Sequence, residues 1–409
     1  MKNFIISILS FSFLISCSSG VGGEGSIEPN NSIDEKWSQT FGGTSEDCGL
    51  SVQQTTDGGY IITGLTASFG NGGGTDVYLI KTDGSGIEQW SKTFGGPLIS
   101  GIDIGFSVQQ TTDGGYVITG NAEKTSSSSV FGREDIFLIK TDGSGIKLWS
   151  KTFGGENSDQ GFSVQQATDG GYIIVGETSE GDGGETSDVY LLKTDGNGTE
   201  QWSKTFGGED GDEGKSVQQT TDGGYIITGN TYSFGSGHQD IYLLKTDGNG
   251  TEQWSQTFGG TAFEVGSSVQ QTTDGGYVIT GLTQSFGNGE SDVYLIKTDG
   301  SGIEQWSKTF GGENRDQGIS VQQATDGGYV ITGTTESFGN GESDVYLIKT
   351  DGSGIEQWSK TFGGENRDQG ISVQQATDGG YVITGITQSF GNGESDVYLI
   401  KTDENGNIN

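Results

Sequence analysis

Tryptophan occurs at positions 37, 90, 149, 202, 254, 306 and 358 of this 409-residue chain and nowhere else, at intervals of 53, 59, 53, 52, 52 and 52 residues. A period of this length means one supersecondary unit copied along the chain. Each copy is too small to bury its own apolar faces and must pack on its neighbours. In one place the copying is literal, since residues 285–333 and 337–385 are the same 49 amino acids. A single chemical act needs several different residues converging once, so identical copies point to a shared structural task.

Each period holds four short segments: "SVQQT", "YIITG" or "YVITG", "DVYLIKT" and "EQWSKTF". They are rich in Val, Ile, Tyr, Thr and Trp and are separated by "TDGG", a variable loop and "DGSG" or "DGNG", which is the pattern of strands joined in hairpins. No segment shows an apolar rhythm of 3.6 residues, so the fold class is all-β. Four strands per period of about 50 residues is the arithmetic of a β-propeller blade. The segment "EKWSQTF" at 35–41 arrives without a hairpin partner, and "VYLIKT" at 397–402 is followed only by "DENGNIN". The first segment therefore completes the last blade, giving a seven-bladed propeller over residues 35–409.

The order of segments resembles that of WD-repeat propellers, which implies that "SVQQT" is innermost, with its glutamines toward the channel, and "EQWSKTF" outermost. The alternative places "YIITG" innermost. The repeat as a whole is similar to a family of secreted bacterial and archaeal propeller repeats carrying "DGGYI", "LIKTD" and "KTFGG", a resemblance that implies fold and not function. "TDGSGIEQW" resembles the Asp-box of sialidases and the tryptophan-docking repeat of quinone-dependent dehydrogenases, and what that implies is blade locking.

Only 29% of residues are apolar and 77 are glycine; acids outnumber bases 55 to 20, for a net charge of -35. That field repels nucleic acid and anionic lipid headgroups, leaving polar ligands, glycans and proteins with basic surfaces as expected partners of a monomer. The N-terminus has Lys2, an apolar run over 4–15 and then Leu14-Ile15-Ser16-Cys17. The run is the length of a signal-peptide core. Its end resembles the lipobox of bacterial lipoproteins, which implies removal of residues 1–16, lipid on Cys17, a polar tether over 17–34 and an outer-membrane address. No second cysteine is then left in the chain for a disulfide with Cys48.

Four acidic sets recur. Asp57 and its equivalents in "TDGG" and Asp83 and its equivalents in "DGSG" are explained by turn chemistry. A third set, Asp76, Asp135, Asp188, Asp240, Asp292, Asp344 and Asp396, precedes the third strand. A fourth, Asp47, Asp103, Asp159, Asp212, Glu264, Asp316 and Asp368, precedes the first. Both should emerge on one strongly negative face, with Lys81 and its six equivalents offsetting part of that charge. Calcium suits oxygen-rich glycine loops, and the third set supplies candidate ligands, but no segment carries the spaced D-x-[DN]-x-[DN]-G pattern, so the sequence names no cofactor.

Three arginines in all argue against a sialidase, and one histidine argues against a zinc site on imidazoles or a Ser-His-Asp triad. A glycosidase carboxylate pair is compatible with so many acids but is not singled out. Asymmetry lies in the loops of blades 2 to 5, which makes Pro97, Ile99, Asp103, Asn121, Lys124, Phe131, Arg133, Tyr232, His238 and Phe263 the candidate binding residues. The expectation is a lipid-anchored envelope scaffold that binds a glycan, peptide or protein. The alternatives are a polysaccharide-acting enzyme and a purely structural envelope protein.

Overall fold

The computed structural model describes residues 37–70, 74–96, 101–123, 134–180 and 186–408. They form seven four-stranded antiparallel sheets, each one blade of a closed propeller. Blade 1 runs outward through β2 (Asp47–Gln54), β3 (Tyr60–Thr66), β4 (Asp76–Thr82) and β5 (Glu88–Phe94). Blade 7 is built from β26 (Asp368–Gln375), β27 (Tyr381–Thr387) and β28 (Asp396–Lys401), with β1 (Trp37–Phe41) as its outer strand. The register Trp37↔Lys401 through Phe41↔Val397 makes this closure a full-length strand pairing.

The two middle strands of a blade are covered on both faces by neighbouring blades, so β3 and β4 are buried along their whole length. This is why "YIITG" and "VYLI" are apolar without alternation. Each core is shared between blades: Ile226, Ile241 and Leu243 of blade 4 pack against Val269, Tyr277, Ile279 and Ile296 of blade 5. A blade alone would expose these surfaces to water.

The inner "SVQQ" strands carry the contacts that hold the ring together at its centre. Gln53 Oε1 accepts the Gln110 N–H of the next blade at 2.5 Å. Gln110 Oε1 reaches back to accept the Thr56 N–H at 2.9 Å, and Ser51 Oγ accepts the Val108 N–H at 3.3 Å. The same three bonds recur at the other six junctions, including blade 7 to blade 1, where Gln374 meets Gln54. The glutamines thus flank the channel as expected, but their work is to join blades.

At the periphery the blades lock through tryptophan. Gly302, at φ +78°, lies against the Trp254 ring of the preceding blade, and a Cβ there would run into the indole. Trp254 also meets Tyr277 of the following blade with ring centroids 5.8 Å apart. The tryptophan period is the period of this lock.

Candidate functional site

The "TDGG" aspartates do more than turn the chain. Lys81 is buried with its ammonium 3.0 Å from Asp57, and the equivalent pair recurs in all seven blades at 2.7 to 3.0 Å. Burial works against the charged form of Asp57, but the Thr55 hydroxyl, the Lys81 ammonium and the Gly59 N–H together bring its carboxyl down to about 2. These lysines stand at the end of the third strand remote from the third and fourth acidic sets. They do not offset the charge of that face, as expected from sequence, because a strand seven residues long separates them from it.

The third and fourth sets do emerge at one face, and there the structure corrects the expectation of exposed charge. They meet at the junctions as carboxylate pairs, all buried except the half-buried Asp135 and Asp188. Asp240 of blade 4 and Glu264 of blade 5 converge on Gly259, where a Cβ would run into Asp240 Oδ1 and lie 2.7 Å from Glu264 Oε2. Asp396 and Asp47, Asp292 and Asp316, and Asp344 and Asp368 converge in the same way on Gly42, Gly311 and Gly363. The first glycine of "FGG" is the space these side chains fill. Burial, opposed by the Asn392 N–H and reinforced by the neighbouring Asp47 carboxylate, pushes Asp396 up to about 7. Among the described residues no three His, Cys, Asp or Glu side chains gather around one point for a metal ion.

Each junction repeats this geometry, so the element that can recognise one partner has to be asymmetric. It lies at the channel mouth on the same face. On one side Cys48, Leu50, Leu65 and Ile386 are buried together, and the partly exposed Ile104, Phe106 and Ile371 pack against them as an apolar edge. The strand pair Cys48↔Leu65 of blade 1 is replaced by Gln160↔Glu177 in blade 3 and Glu213↔Asn230 in blade 4, and blade 2 pairs Ile104 with Asn121. Glu134 Oε2 accepts from Asn121 Nδ2 at 3.1 Å and Gln160 Nε2 at 3.0 Å. Lys215 Nζ lies 2.9 Å from Glu213 Oε2 and 3.9 Å from the centre of the Phe162 ring, which meets Phe106 edge-on at 5.4 Å. Glu213 Oε2 also accepts from Asn230 Nδ2 at 3.1 Å. Glu177 stands opposite Gln160 in strand register and interacts with Glu213 and Lys215. Burial holds its carboxyl above the usual range, Lys215 opposes that shift and the Glu213 charge adds to it.

Of the candidate loop residues, Asn121 lies in this site, its Oδ1 fixed by the Gly161 N–H at 2.9 Å. Tyr232 borders it, with burial and then the Glu213 charge raising its hydroxyl pKa. Asp103 belongs to a junction pair, accepting the Gly96 N–H at 3.0 Å beside Asp76. His238, on the loop between the second and third strands of blade 4, and Phe263, on the connection from blade 4 to blade 5, are brought together as stacked rings 5.0 Å apart. Cys17, Pro97, Ile99, Lys124, Phe131 and Arg133 lie outside the described residues. Glu134, Gln160, Phe162, Glu177, Glu213 and Lys215 were not singled out from sequence. For Glu213, Lys215 and Glu177 the signal was departure from the repeat, "DEGKS" against "DQGIS" and "IVGET" against "ITGLT".

No family model matches the chain. The regulatory protein FlaEY of Caulobacter vibrioides is 26% identical over 262 residues, which are 56% of this chain and 26% of that protein. This chain therefore spans about a quarter of that relative's length. Among solved structures, YCF48 bound to D1 peptide is 11% identical with a TM-score of 0.51, over 92% of this chain and 97% of that one. The Pan2 WD40 domain of Neurospora crassa is 8% identical with a TM-score of 0.49, over 93% and 100%. A protein of unknown function from Dyadobacter fermentans is 12% identical with a TM-score of 0.47, over 79% and 96%. At these identities the likeness is one of fold, and the fold is that of a β-propeller built from repeats.

Proposed function

We propose that this protein is a binding scaffold of the bacterial cell envelope, tethered by lipid on Cys17, whose channel mouth receives a segment of a partner protein. The observation that carries the reading is the two-sided mouth. An apolar cluster borders three glutamates and one lysine through Phe106 and Phe162, and these positions differ between blades where the junction hydrogen bonds and the tryptophan lock repeat. A segment presenting a cationic side chain next to an apolar one complements both. The propeller bound to a peptide among the similar structures supports the fold's suitability for such a role. The lipid anchor rests on the Leu14-Ile15-Ser16-Cys17 sequence alone.

The test is titration of the purified protein with synthetic peptides that pair Lys or Arg with Leu or Phe, against acidic counterparts. Preference for the cationic set, weakened about tenfold by the double change Glu177→Gln, Glu213→Gln, supports the scaffold. Equal binding of both sets sinks it. The enzyme reading would use the same two glutamates, the acid raised by burial and its neighbour bridged by Lys215. Turnover of a polysaccharide that disappears in Glu177→Gln would replace the scaffold by that enzyme. Loss of labelled palmitate incorporation in Cys17→Ser checks the anchor.

A further inference from the structure

A second feature recurs in five blades among the described residues. Phe69, Phe234, Phe286, Phe338 and Phe390 are 43% to 48% exposed, unusual for so large an apolar side chain repeated five times. They belong to blades 1, 4, 5, 6 and 7, which are consecutive around the closed ring. Blade 3 has no aromatic residue in the corresponding loop "ETSEGDGGETSD".

Each phenyl is held rather than loose. In blade 5 the Phe286 N–H donates to Thr283 Oγ1 at 3.1 Å, and the ring tilts over Tyr294 with centroids 5.6 Å apart. One edge of the ring covers Gly260 of the preceding blade. The free side looks into a notch of about 500 Å³ between the outer strands of blades 4 and 5, lined by Phe286, Tyr294, Thr257, Glu304, Ser307 and Lys308. The Tyr294 and Ser307 hydroxyls meet at its floor. In blade 4 the equivalent Ser255 donates to Glu252 at 2.9 Å, so a carboxylate and a hydroxyl stand together on the rim.

The chemistry of the notch selects its occupant. A flat apolar ring bordered by a carboxylate, an ammonium and hydroxyls suits a molecule with one apolar face and hydrogen-bonding groups around its edge, which describes a pyranose. A purely aliphatic ligand would leave Glu304 and Lys308 unused. The exposed phenyl recurs in five consecutive blades; the Glu304 and Lys308 positions are kept as Glu88 and Lys92 in blade 1 and Glu356 and Lys360 in blade 6, while glutamine (Gln256, Gln39) replaces the lysine in blades 4 and 7, and such a row of faces suits a ligand that repeats. The net charge of -35 disfavours a polyanion.

We propose that the Phe notches of blades 4, 5, 6, 7 and 1 are subsites for a neutral polysaccharide of hexopyranose units, bound through several weak contacts at once. This surface is independent of the channel mouth. Phe286 together with Phe338 and Phe390 provides the recognition face, and avidity across notches supplies the affinity that a single sugar contact lacks.

Affinity electrophoresis of the full chain through gels containing a β-glucan, a mannan or a galactan, with hyaluronan as the polyanion, tests this directly. Retardation is expected in at least one neutral polymer. The triple change Phe286→Leu, Phe338→Leu, Phe390→Leu keeps an apolar cover on the glycines and removes the flat faces. It is expected to lower affinity roughly a hundredfold, with circular dichroism and the unfolding midpoint preserved. If the triple variant does not fold, Phe338→Leu alone must weaken binding measurably by calorimetry. Glu177→Gln must leave retardation unchanged, which separates this proposal from the channel-mouth reading. Retardation in no neutral polymer, retardation only in hyaluronan, or undiminished retardation of the Leu variants overturns it.

Discussion

Gln270 Oε1 accepts the Gln323 N–H across the junction of blades 5 and 6 at 2.5 Å, one of seven such bonds around the channel. Removing the acceptor strands an N–H where the neighbouring strand offers no other partner. Gln270→Leu is expected to cost about 1–3 kcal/mol and to lower the thermal midpoint. Gln270→Glu keeps an acceptor oxygen and should stay near the wild type. Thermal unfolding of both variants separates the hydrogen bond from simple loss of volume.

The docking of tryptophan on glycine makes a position-specific prediction. Gly302 and Gly275 both have positive φ, +78° and +84°, but only Gly302 faces a ring, whereas nothing lies within 4 Å of a Cβ on Gly275. Gly275→Ala is expected to cost about 1 kcal/mol for its backbone alone. Gly302→Ala adds a clash with Trp254 and should cost about 2–4 kcal/mol. Equal losses in a denaturant titration would remove the docking argument.

Closure by β1 predicts that deletion of residues 37–41 exposes the β28 edge and the blade 7 core. Phe41, Val397 and Leu399 share that core with Trp37. The expected outcome is a broadened, less cooperative transition with association at raised concentration, read by calorimetry and light scattering. A sharp wild-type transition in the deleted chain would show that the ring does not need its strand.

The carboxylate pairs predict a pH dependence with a definite sign. The folded-state pKa of Asp396, about 7, lies above its ordinary value of 3.8. A raised acid binds its proton more tightly when folded, so its stabilising contribution is complete below about pH 4 and is lost as pH rises through 7. Asp396→Asn should flatten the fall in stability between pH 4 and 7, a difference on the order of 2–4 kcal/mol. The Lys-paired aspartates act in the opposite sense. With Asp57 lowered to about 2, its contribution is present above pH 4 and lost as pH falls toward 2. Chemical denaturation across this range in wild type and Asp396→Asn decides between them.

Much of the ring was legible because its signals are local. The short β-branched and aromatic segments and the Asp-Gly turns depend on residues a few positions apart, and the tryptophan interval of 52 to 59 residues shows how often that unit is copied. The partnerless "EKWSQTF" at the start and "VYLIKT" at the end named the closing strand before any coordinate did. The candidate site was less legible. The sequence reading looked for asymmetry in the longest loops, while Glu177, Glu213 and Lys215 differ from the repeat by single letters inside strands.

The role of the acidic sets divides along the same line. That Asp76 and Asp103, or Asp240 and Glu264, would stand at one face followed from strand order. That they would be buried against each other over a glycine did not, because burial depends on how one blade seats on the next. The repeat by itself determined a seven-bladed β-propeller, since hairpin chemistry and periodicity are properties of neighbouring residues. Which charges are hidden in pairs, which lysines neutralise which turns, and where one wall of the channel turns acidic were decided by tertiary packing, which brings together residues 23 to more than 300 positions apart.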